Sequence, residues 1–305
     1  MKRKIYWQFG LFSGLIFIFF LLSSYTLTEI ENEDINNDTE VLLPQLITSV
    51  NLNREWSFAG EGVPMNVDTK ERLERELIVN SYFHSTTLLN LKKSTRFFPV
   101  IEKILREEGV PADFKYLAVA ESNLSNVTSS ANARGYWQFM KNSVSEFGLE
   151  VSDEVDERNH LEKSTRAAAK YLKQLYNRFG TWTNAAAAYN IGPSKFNKLM
   201  NTQGETDYYN LHLNEETSRY VFRLIAIKEI LSNPLKYGYK LSVSDRYEPL
   251  DFREVTVKES INSLAAFAHQ YGISYRMLKY YNPWLISDQL TVKGKTYVIK
   301  IPKVK

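Results

Sequence analysis

The sequence predicts a mainly α protein that ends in a small βααβ module. Three observations indicate this fold class. Apolar residues recur at helical spacing over most of residues 66–240. Predicted helices in this region are followed by Gly, as at Gly109, Gly180 and Gly192. Beyond residue 250 the pattern becomes alternating, then helical twice, then alternating again.

The N-terminus is typical of an export signal or a membrane anchor. Lys2, Arg3 and Lys4 precede an uncharged apolar run over residues 5–22. This run is longer than the roughly 7–15 residues of a signal-peptide core and slightly shorter than the about 20 of a full span. Residues 1–25 are therefore predicted to be either a signal peptide or an anchor. In both cases the rest of the chain is exported, to the periplasm or cell envelope.

Residues 26–65 are predicted to form a flexible linker. They are rich in Glu, Asp, Asn and Thr and contain Gly60, Gly62 and Pro64 near their end. A helical domain over residues 66–240 follows, and its first helix is expected to begin at a capping box formed by Asp68 and Glu71.

Further helices of this domain are expected over residues 97–108, 113–121, 136–147, 164–179, 182–190 and 215–232. The helix that opens near Pro111 and Asp113 ends at Glu121. A carboxylate at the C-terminal end of a helix faces the negative end of the helix dipole. The sequence therefore predicts a raised pKa for Glu121, more so if the side chain is partly buried.

The C-terminal module is predicted to occupy residues 250–303. Its strands are expected over residues 254–257 and 296–301, and its helices over residues 261–271 and 274–281. Such a unit should form a small domain of its own.

Composition argues against several classes of function. The net charge is only +3, and no basic stripe occurs beyond the first four residues, so nucleic acid is not expected as a partner. There is no cysteine, and the four histidines are widely scattered, so neither a metal site nor a cofactor is predicted. The sequence leaves the oligomeric state open.

Several motifs follow one another in a specific order. They are Glu121–Ser122, the segment 129–140, Gly135–Phe139 within it, Asp156–Arg158, Thr165–Ala168, Ala188–Gly192 and Glu216–Val221. Each is weak when taken alone, since Trp137 and Phe139 are more often core residues than ligand contacts. In this order they resemble the lytic transglycosylases whose domain is similar to goose-type lysozyme, most closely the membrane-bound D-type subgroup.

The resemblance implies a lysozyme-like, all-helical catalytic domain that cleaves peptidoglycan glycan strands. Glu121 would protonate the bond between N-acetylmuramic acid and N-acetylglucosamine and then act as base, which gives a 1,6-anhydromuramyl end. Substrate-binding residues are implied at Ser129, Gln138 and Met140, which would line the glycan groove, and at Tyr189 and Asn190, which would lie beside the carboxyl. Tyr189 is expected to hydrogen-bond Glu121.

Two positions depart from the family pattern. Asn132 replaces a glycine, and asparagine is among the residues best able to adopt positive φ. Tyr136 replaces a leucine and either extends a sugar-stacking surface or enlarges the core. The C-terminal module resembles LysM, a peptidoglycan-binding fold, but has Lys258–Ser260 where a Gly-Asp turn is usual. It either binds glycan or only packs on the larger domain.

Two alternative functions remain open. A goose-type lysozyme-like hydrolase would use the same fold and the same glutamate but release reducing ends. A non-catalytic peptidoglycan-binding protein would keep the groove without turnover. Asp156 and Glu157 are the nearest rivals to Glu121 as catalytic carboxyls, although their segment is structural in the family that the sequence resembles.

Overall fold

A computed structural model describes residues 49–303. The predicted signal or anchor and the first part of the predicted linker, up to residue 48, lie outside the described residues. Within residues 49–303 there is no helix whose length and apolar character would allow it to cross a membrane. The prediction of a mainly α protein with a small βααβ module is confirmed.

The helical lobe begins with a short hairpin and contains most of the helices. The hairpin pairs β1 (Ser57–Phe58) with β2 (Glu61–Gly62). The helices are α1 (Val67–Tyr82), α2 (His84–Glu107), α3 (Lys115–Ser122), α4 (Leu161–Phe179), α5 (Trp182–Ile191), α6 (Pro193–Gln203) and α7 (Glu215–Ser232). Short 3-10 turns lie between them, for example over residues 112–114 and 157–159.

The start of the lobe differs from the sequence expectation. Trp56 and Phe58 are buried in the main core, and the Phe58 ring packs edge-on against Phe114 at 5.2 Å. Folded structure therefore begins ahead of residue 66. The cap of α1 also differs, because Asn66 and Thr69 form the capping box that was expected from Asp68 and Glu71.

Helices α3 and α7 lie at the centre of the lobe and position the site described below. α7 packs against α1, α3 and α5, and its inward face is apolar. Residues 183–188 of α5 are buried, and the four consecutive alanines among them, residues 185–188, let neighbouring helices approach closely. α6 was not predicted from the sequence, although Pro193 at its first turn is a typical helix start.

The helix predicted over residues 136–147 does not exist. This segment forms turns linked by isolated β-bridges, Thr128 with Arg134 and Arg134 with Phe139, followed by two 3-10 turns. Gly135 and Gln138 have φ values of 84° and 49°, which a right-handed helix does not allow. The apolar residues here are spaced to fill the core from a loop. We call residues 128–140 the motif loop.

The C-terminal module follows the predicted order. It consists of β3 (Phe252–Val257), α8 (Leu264–Gln270), α9 (Tyr275–Tyr281) and β4 (Tyr297–Pro302), with β3 antiparallel to β4. It docks on residues 150–162 of the helical lobe. The Asp156 N–H donates to the Trp284 carbonyl at 2.8 Å, and the Ile286 N–H donates to the Glu154 carbonyl at 2.9 Å. Val155 of the helical lobe is buried in the module's own core.

Candidate active site

Glu121 is the penultimate residue of α3, so its predicted place at the C-terminal end of a helix is confirmed. The helix stops because Asn123 and Leu124 adopt left-handed backbone conformations, with φ of 50° and 52°. The next side chain, Ser122, is buried and donates to the Tyr136 carbonyl at 2.8 Å. This bond fixes the end of α3 against the motif loop.

The carboxyl of Glu121 has the electrostatics of a general acid. Burial raises its pKa to about 7, and the nearby Glu216 carboxylate acts in the same direction. The Tyr220 hydrogen bond and the charge of Arg223 favour the ionised carboxylate and so act to lower the pKa of Glu121. Glu121 as a whole residue is partly exposed. A carboxyl of this kind exchanges a proton readily near neutral pH.

This raised pKa predicts a pH-dependent loss of stability. Glu121 ionises near 4.5 in the unfolded chain and near 7 in the folded protein. Between these values the folded state binds more protons, so stability falls as pH rises. Glu121→Gln should therefore increase the free energy of unfolding on the order of 2 kcal/mol at mildly alkaline pH and much less in acid. Urea unfolding at both pH values checks this; an equal effect at both would contradict it.

The hydrogen-bond partner of Glu121 is Tyr220, whose hydroxyl donates to Oε1. Tyr220 is buried in the N-terminal half of α7 and lies 99 residues away along the chain. It belongs to the Glu216–Val221 motif, but the sequence analysis did not place it in the site. Only the packing of α7 on α3 brings the two side chains together. The available signal for Tyr220 was that a buried tyrosine needs a hydrogen-bond partner for its hydroxyl.

The expected hydrogen bond from Tyr189 to Glu121 is wrong. The Tyr189 hydroxyl donates to the Trp137 carbonyl at 2.6 Å, and a phenol has only one proton to donate. Tyr189 nevertheless lies close to the carboxyl. Burial, and then the charge of Glu121, raises the pKa of the Tyr189 phenol. Its bond ties the C-terminal end of α5 to the motif loop.

We expect Tyr220→Phe to shift the pH profile of activity upward. Without the phenol, the carboxylate form of Glu121 loses a hydrogen bond and its pKa rises. A bond to a charged group contributes about 1.5–3 kcal/mol, so the alkaline limb should move by about one pH unit. Tyr189→Phe is the matched control, since it removes a hydroxyl of the same chemistry that bonds elsewhere. Equal shifts in both variants would contradict the assignment.

Ser129 and Gln138 make hydrogen bonds within the motif loop and to Val127, the residue before it. The Ser129 Oγ accepts from the Ala133 N–H at 3.1 Å. The Gln138 side-chain amide donates to the carbonyls of Gly135 and Val127 at 2.9 and 3.1 Å. Met140 differs, because its side chain is 47% exposed at the end of the loop. The loop is thus held by its own polar residues.

The aromatic residues of the motif loop belong to the core. Trp137 is fully buried and its indole N–H donates to the Thr165 hydroxyl at 3.1 Å. Tyr136 is buried against Phe97, with ring centroids 5.4 Å apart, and so enlarges the core. Asn132 has a φ of 65°, which confirms that asparagine accommodates the glycine conformation there.

Asn190 connects α5 with the first turn of α7. Its Oδ1 accepts from the Thr217 hydroxyl at 2.8 Å, and its Nδ2 donates to the Glu216 carboxylate at 3.4 Å. Glu216 is exposed and is the carboxylate whose charge acts on Glu121. Asn190 therefore orients the acidic neighbour of Glu121.

The rival carboxyls are engaged in ion pairs. Asp156 is buried and contacts the guanidinium groups of Arg158 at 2.8 Å and Arg134 at 3.1 Å. Arg158 in turn donates to the Phe139 carbonyl at 3.1 Å. Glu157 is buried and paired with Lys163. These contacts support the motif loop. Over residues 49–303, no group of three or more His, Asp or Glu side chains could hold a metal ion.

Comparison with known families identifies two domains. Residues 98–212 match the Transglycosylase SLT domain. Residues 253–305 match the soluble lytic transglycosylase C-terminal LysM-like domain. The first match spans α3, the motif loop and the end of α5, where Glu121, Gln138 and Tyr189 lie.

Two individual proteins are similar to this chain. The chain is 30% identical over 258 residues to membrane-bound lytic murein transglycosylase D of Escherichia coli, covering 81% of this chain and 55% of that protein. It is 30% identical over 114 residues to a putative tributyltin chloride resistance protein of an Alteromonas species, covering 36% and 55%. The chain thus spans about half the length of these relatives.

A solved structure is also similar over part of the chain. It is an inactive mutant of lytic transglycosylase Slt from Pseudomonas aeruginosa, 19% identical, with a TM-score of 0.37 over 50% of this chain and 26% of that one. The two domain matches show that this chain carries a transglycosylase SLT domain followed by a lytic transglycosylase C-terminal LysM-like domain.

Proposed function

We propose that this protein is a peptidoglycan lytic transglycosylase. It cleaves the β-1,4 bond between N-acetylmuramic acid and N-acetylglucosamine and leaves a 1,6-anhydromuramyl end. The observation that carries the proposal is Glu121 itself. Burial raises the pKa of its carboxyl to about 7, the residue is partly exposed, and Tyr220 donates a hydrogen bond to the carboxyl. The SLT domain match over this region supports it.

One carboxyl suffices for both proton transfers of this reaction. Protonated Glu121 gives its proton to the glycosidic oxygen as the bond to C1 of the muramyl residue breaks. The resulting carboxylate takes the proton of the muramyl C6 hydroxyl as that oxygen attacks C1. The proton taken up in the second step restores the acid, and no water is consumed. A pKa near the working pH suits a group that must give and take a proton.

The surroundings of Glu121 favour this scheme over a pair of catalytic carboxylates. Most glycosidases place a second carboxyl across the scissile bond as nucleophile or base. Asp156 and Glu157 are both held in ion pairs. Glu216 raises the pKa of Glu121 and so favours the protonated acid. The Tyr220 hydroxyl stabilises the carboxylate that forms after the first step.

Residues around the acid are assigned to substrate binding in the same proposal. Met140 is the most exposed of them, and Ser129 and Gln138 shape the loop that would line the glycan groove. Tyr189 and Asn190 lie at the C-terminal end of α5. No cofactor enters the reaction.

The proposal extends to location and domain roles. Residues 1–25 would export the chain to the periplasm or cell envelope, with residues 5–22 as an inner-membrane anchor if they are retained. Residues 26–65 would link this segment to the catalytic domain at residues 66–240. Residues 250–303 would contact peptidoglycan, and their docking on residues 150–162 gives them a packing role as well.

Mass spectrometry of muropeptides released from purified peptidoglycan tests the function. A transglycosylase yields fragments that are lighter by one water than those from a lysozyme. Reducing ends would instead identify a goose-type hydrolase. No release from several wall types would favour a non-catalytic binding protein.

A further inference from the structure

A cavity of about 370 Å³ lies between the helical lobe and the C-terminal module. We call it the interlobe pocket. The helical lobe contributes Lys93, Arg96 and Asn126, and the region beyond α7 contributes Tyr247, Tyr280 and Tyr281. The lobes are fixed to each other by main-chain hydrogen bonds and by the Lys300–Glu162 ion pair, so the pocket is preformed.

Two cations in the interlobe pocket lack an anionic partner. Lys93 donates to the Asn123 carbonyl at 2.9 Å and to the Ser125 hydroxyl at 2.6 Å. Arg96 donates to the Glu248 carbonyl at 2.8 Å and to the Tyr280 hydroxyl at 2.7 Å. Among residues 49–303, neither has a carboxylate within ion-pair distance. Each side chain has further N–H donors that these bonds do not use, because a lysine has three N–H donors and an arginine has five.

The partly buried position of Lys93 strengthens the case that its ammonium group binds an anion. Its side chain is partly buried, and burial lowers its pKa. A partly desolvated ammonium group without a counter-ion is stabilised by an anion that enters from solvent. Glu162 and Lys300 also line the interlobe pocket, but they are paired with each other. The pocket therefore keeps an excess of positive charge, which suits a carboxylate or phosphate.

The residues that line the interlobe pocket and its location restrict the kind of ligand that it can bind. The Arg96 guanidinium lies over the Tyr247 ring at 5.3 Å. Tyr280 is 51% exposed, so a flat polar group can stack on its ring. Lys93 bonds to Asn123 and Ser125, which directly follow the Glu121–Ser122 pair. Asn126 hydrogen-bonds the Tyr136 hydroxyl within the pocket wall. The interlobe pocket is thus attached to the segment that leaves the active site.

We propose that the interlobe pocket binds the carboxylate-bearing peptide stem of a muramyl residue, while the glycan strand lies along the groove at Glu121. This inference rests on the proposed function, since it assigns a second site to the same substrate. A peptide stem supplies both the carboxylate for Lys93 and Arg96 and planar amides for the tyrosines. The sugar backbone also has planar N-acetyl amides but no carboxylate, so the carboxylate is what distinguishes the peptide stem.

Calorimetric titration of the full chain in detergent with muramyl dipeptide tests the site without turnover. Wild type should bind the dipeptide at millimolar concentrations, and Arg96→Gln should weaken binding about tenfold, as expected for loss of a charge-assisted contact. Lys92→Gln is the matched control, because Lys92 also faces Tyr247, at 5.6 Å, but does not line the pocket. A second variant, Lys93→Gln, should also weaken binding.

A neutral N-acetylglucosamine tetramer serves as the second probe. Its affinity should be the same in wild type and Arg96→Gln, which excludes a general loss of structure. The proposal is overturned if wild type does not bind the dipeptide, if both probes weaken equally, or if inorganic phosphate displaces the dipeptide with equal affinity. Failure of the proposed function would show separately, as dipeptide binding without release of muropeptides from peptidoglycan.

Discussion

Glu121→Gln is expected to reduce muropeptide release by about 10³-fold, the usual contribution of general acid and base catalysis. The amide cannot donate the proton that the glycosidic oxygen needs, nor accept the one from the C6 hydroxyl. It retains the size of the carboxyl and an oxygen that can accept the Tyr220 hydrogen bond. The fold should therefore be unaffected, and release should be quantified by chromatography of soluble muropeptides.

Glu215→Gln is the matched control for this experiment. Glu215 is exposed on the first turn of α7 and pairs with Arg75 and Arg219 at 3.3 and 3.4 Å. Exposed pairs of this kind contribute at most about 1 kcal/mol, so activity should remain near that of wild type. If Glu121→Gln keeps most of the activity, another group is the acid.

Gly135→Ala should have the largest effect on stability in the motif loop. Gly135 has a φ of 84°, and a Cβ atom there would lie 1.9 Å from the Arg158 carbonyl oxygen. That oxygen is backbone and cannot move aside like a flexible side chain. Strain and overlap together should lower the free energy of unfolding by about 3 kcal/mol. Denaturant unfolding measures this loss, and activity should fall because Glu121 is fixed to the loop through Ser122.

The Gly148→Ala variant separates the cost of steric overlap from the cost of backbone strain. Gly148 has a similar φ of 79°, but no atom lies within 4 Å of the position of its Cβ. Only the cost of the left-handed conformation applies, about 1 kcal/mol. Equal losses of stability in the two variants would contradict the close approach of Gly135 to Arg158.

Local patterns were sufficient to predict most of the architecture. α7 was predicted with its observed bounds, because a polar cap and an Asn-Pro stop flank a regular apolar face. The order of elements in the C-terminal module was also predicted, since alternation and helical spacing differ clearly there. Glu121 was placed correctly at a helix end for the same reason.

The motif loop shows where local patterns fail. Tyr136, Trp137 and Phe139 have a spacing that fits one face of a helix, yet they enter the core from a turn. The turn depends on positive φ at Gln138, which no local rule predicts for that residue type. It also depends on Arg158, which binds the Phe139 carbonyl from a distant segment.

The hydrogen-bond partners of the functional groups were also not predicted correctly from the sequence. Tyr189 and Tyr220 both reach the neighbourhood of Glu121, and the sequence suggested the first as its hydrogen-bond donor. The choice depends on where α5 and α7 direct their hydroxyl groups, and this follows from packing between helices. The hairpin at residues 57–62 was missed for a similar reason, because a polar composition hid the buried Phe58.

The central claim is that this fold holds the Glu121 carboxyl as an acid at neutral pH. Carbon NMR of the full chain labelled at glutamate carboxyl groups, with Glu121→Gln to assign the signal, measures this directly. The account predicts that the Glu121 signal titrates with a pKa of about 7 and that Tyr220→Phe moves it upward. A Glu121 carboxyl that titrates at its ordinary value of 4.5 would contradict it.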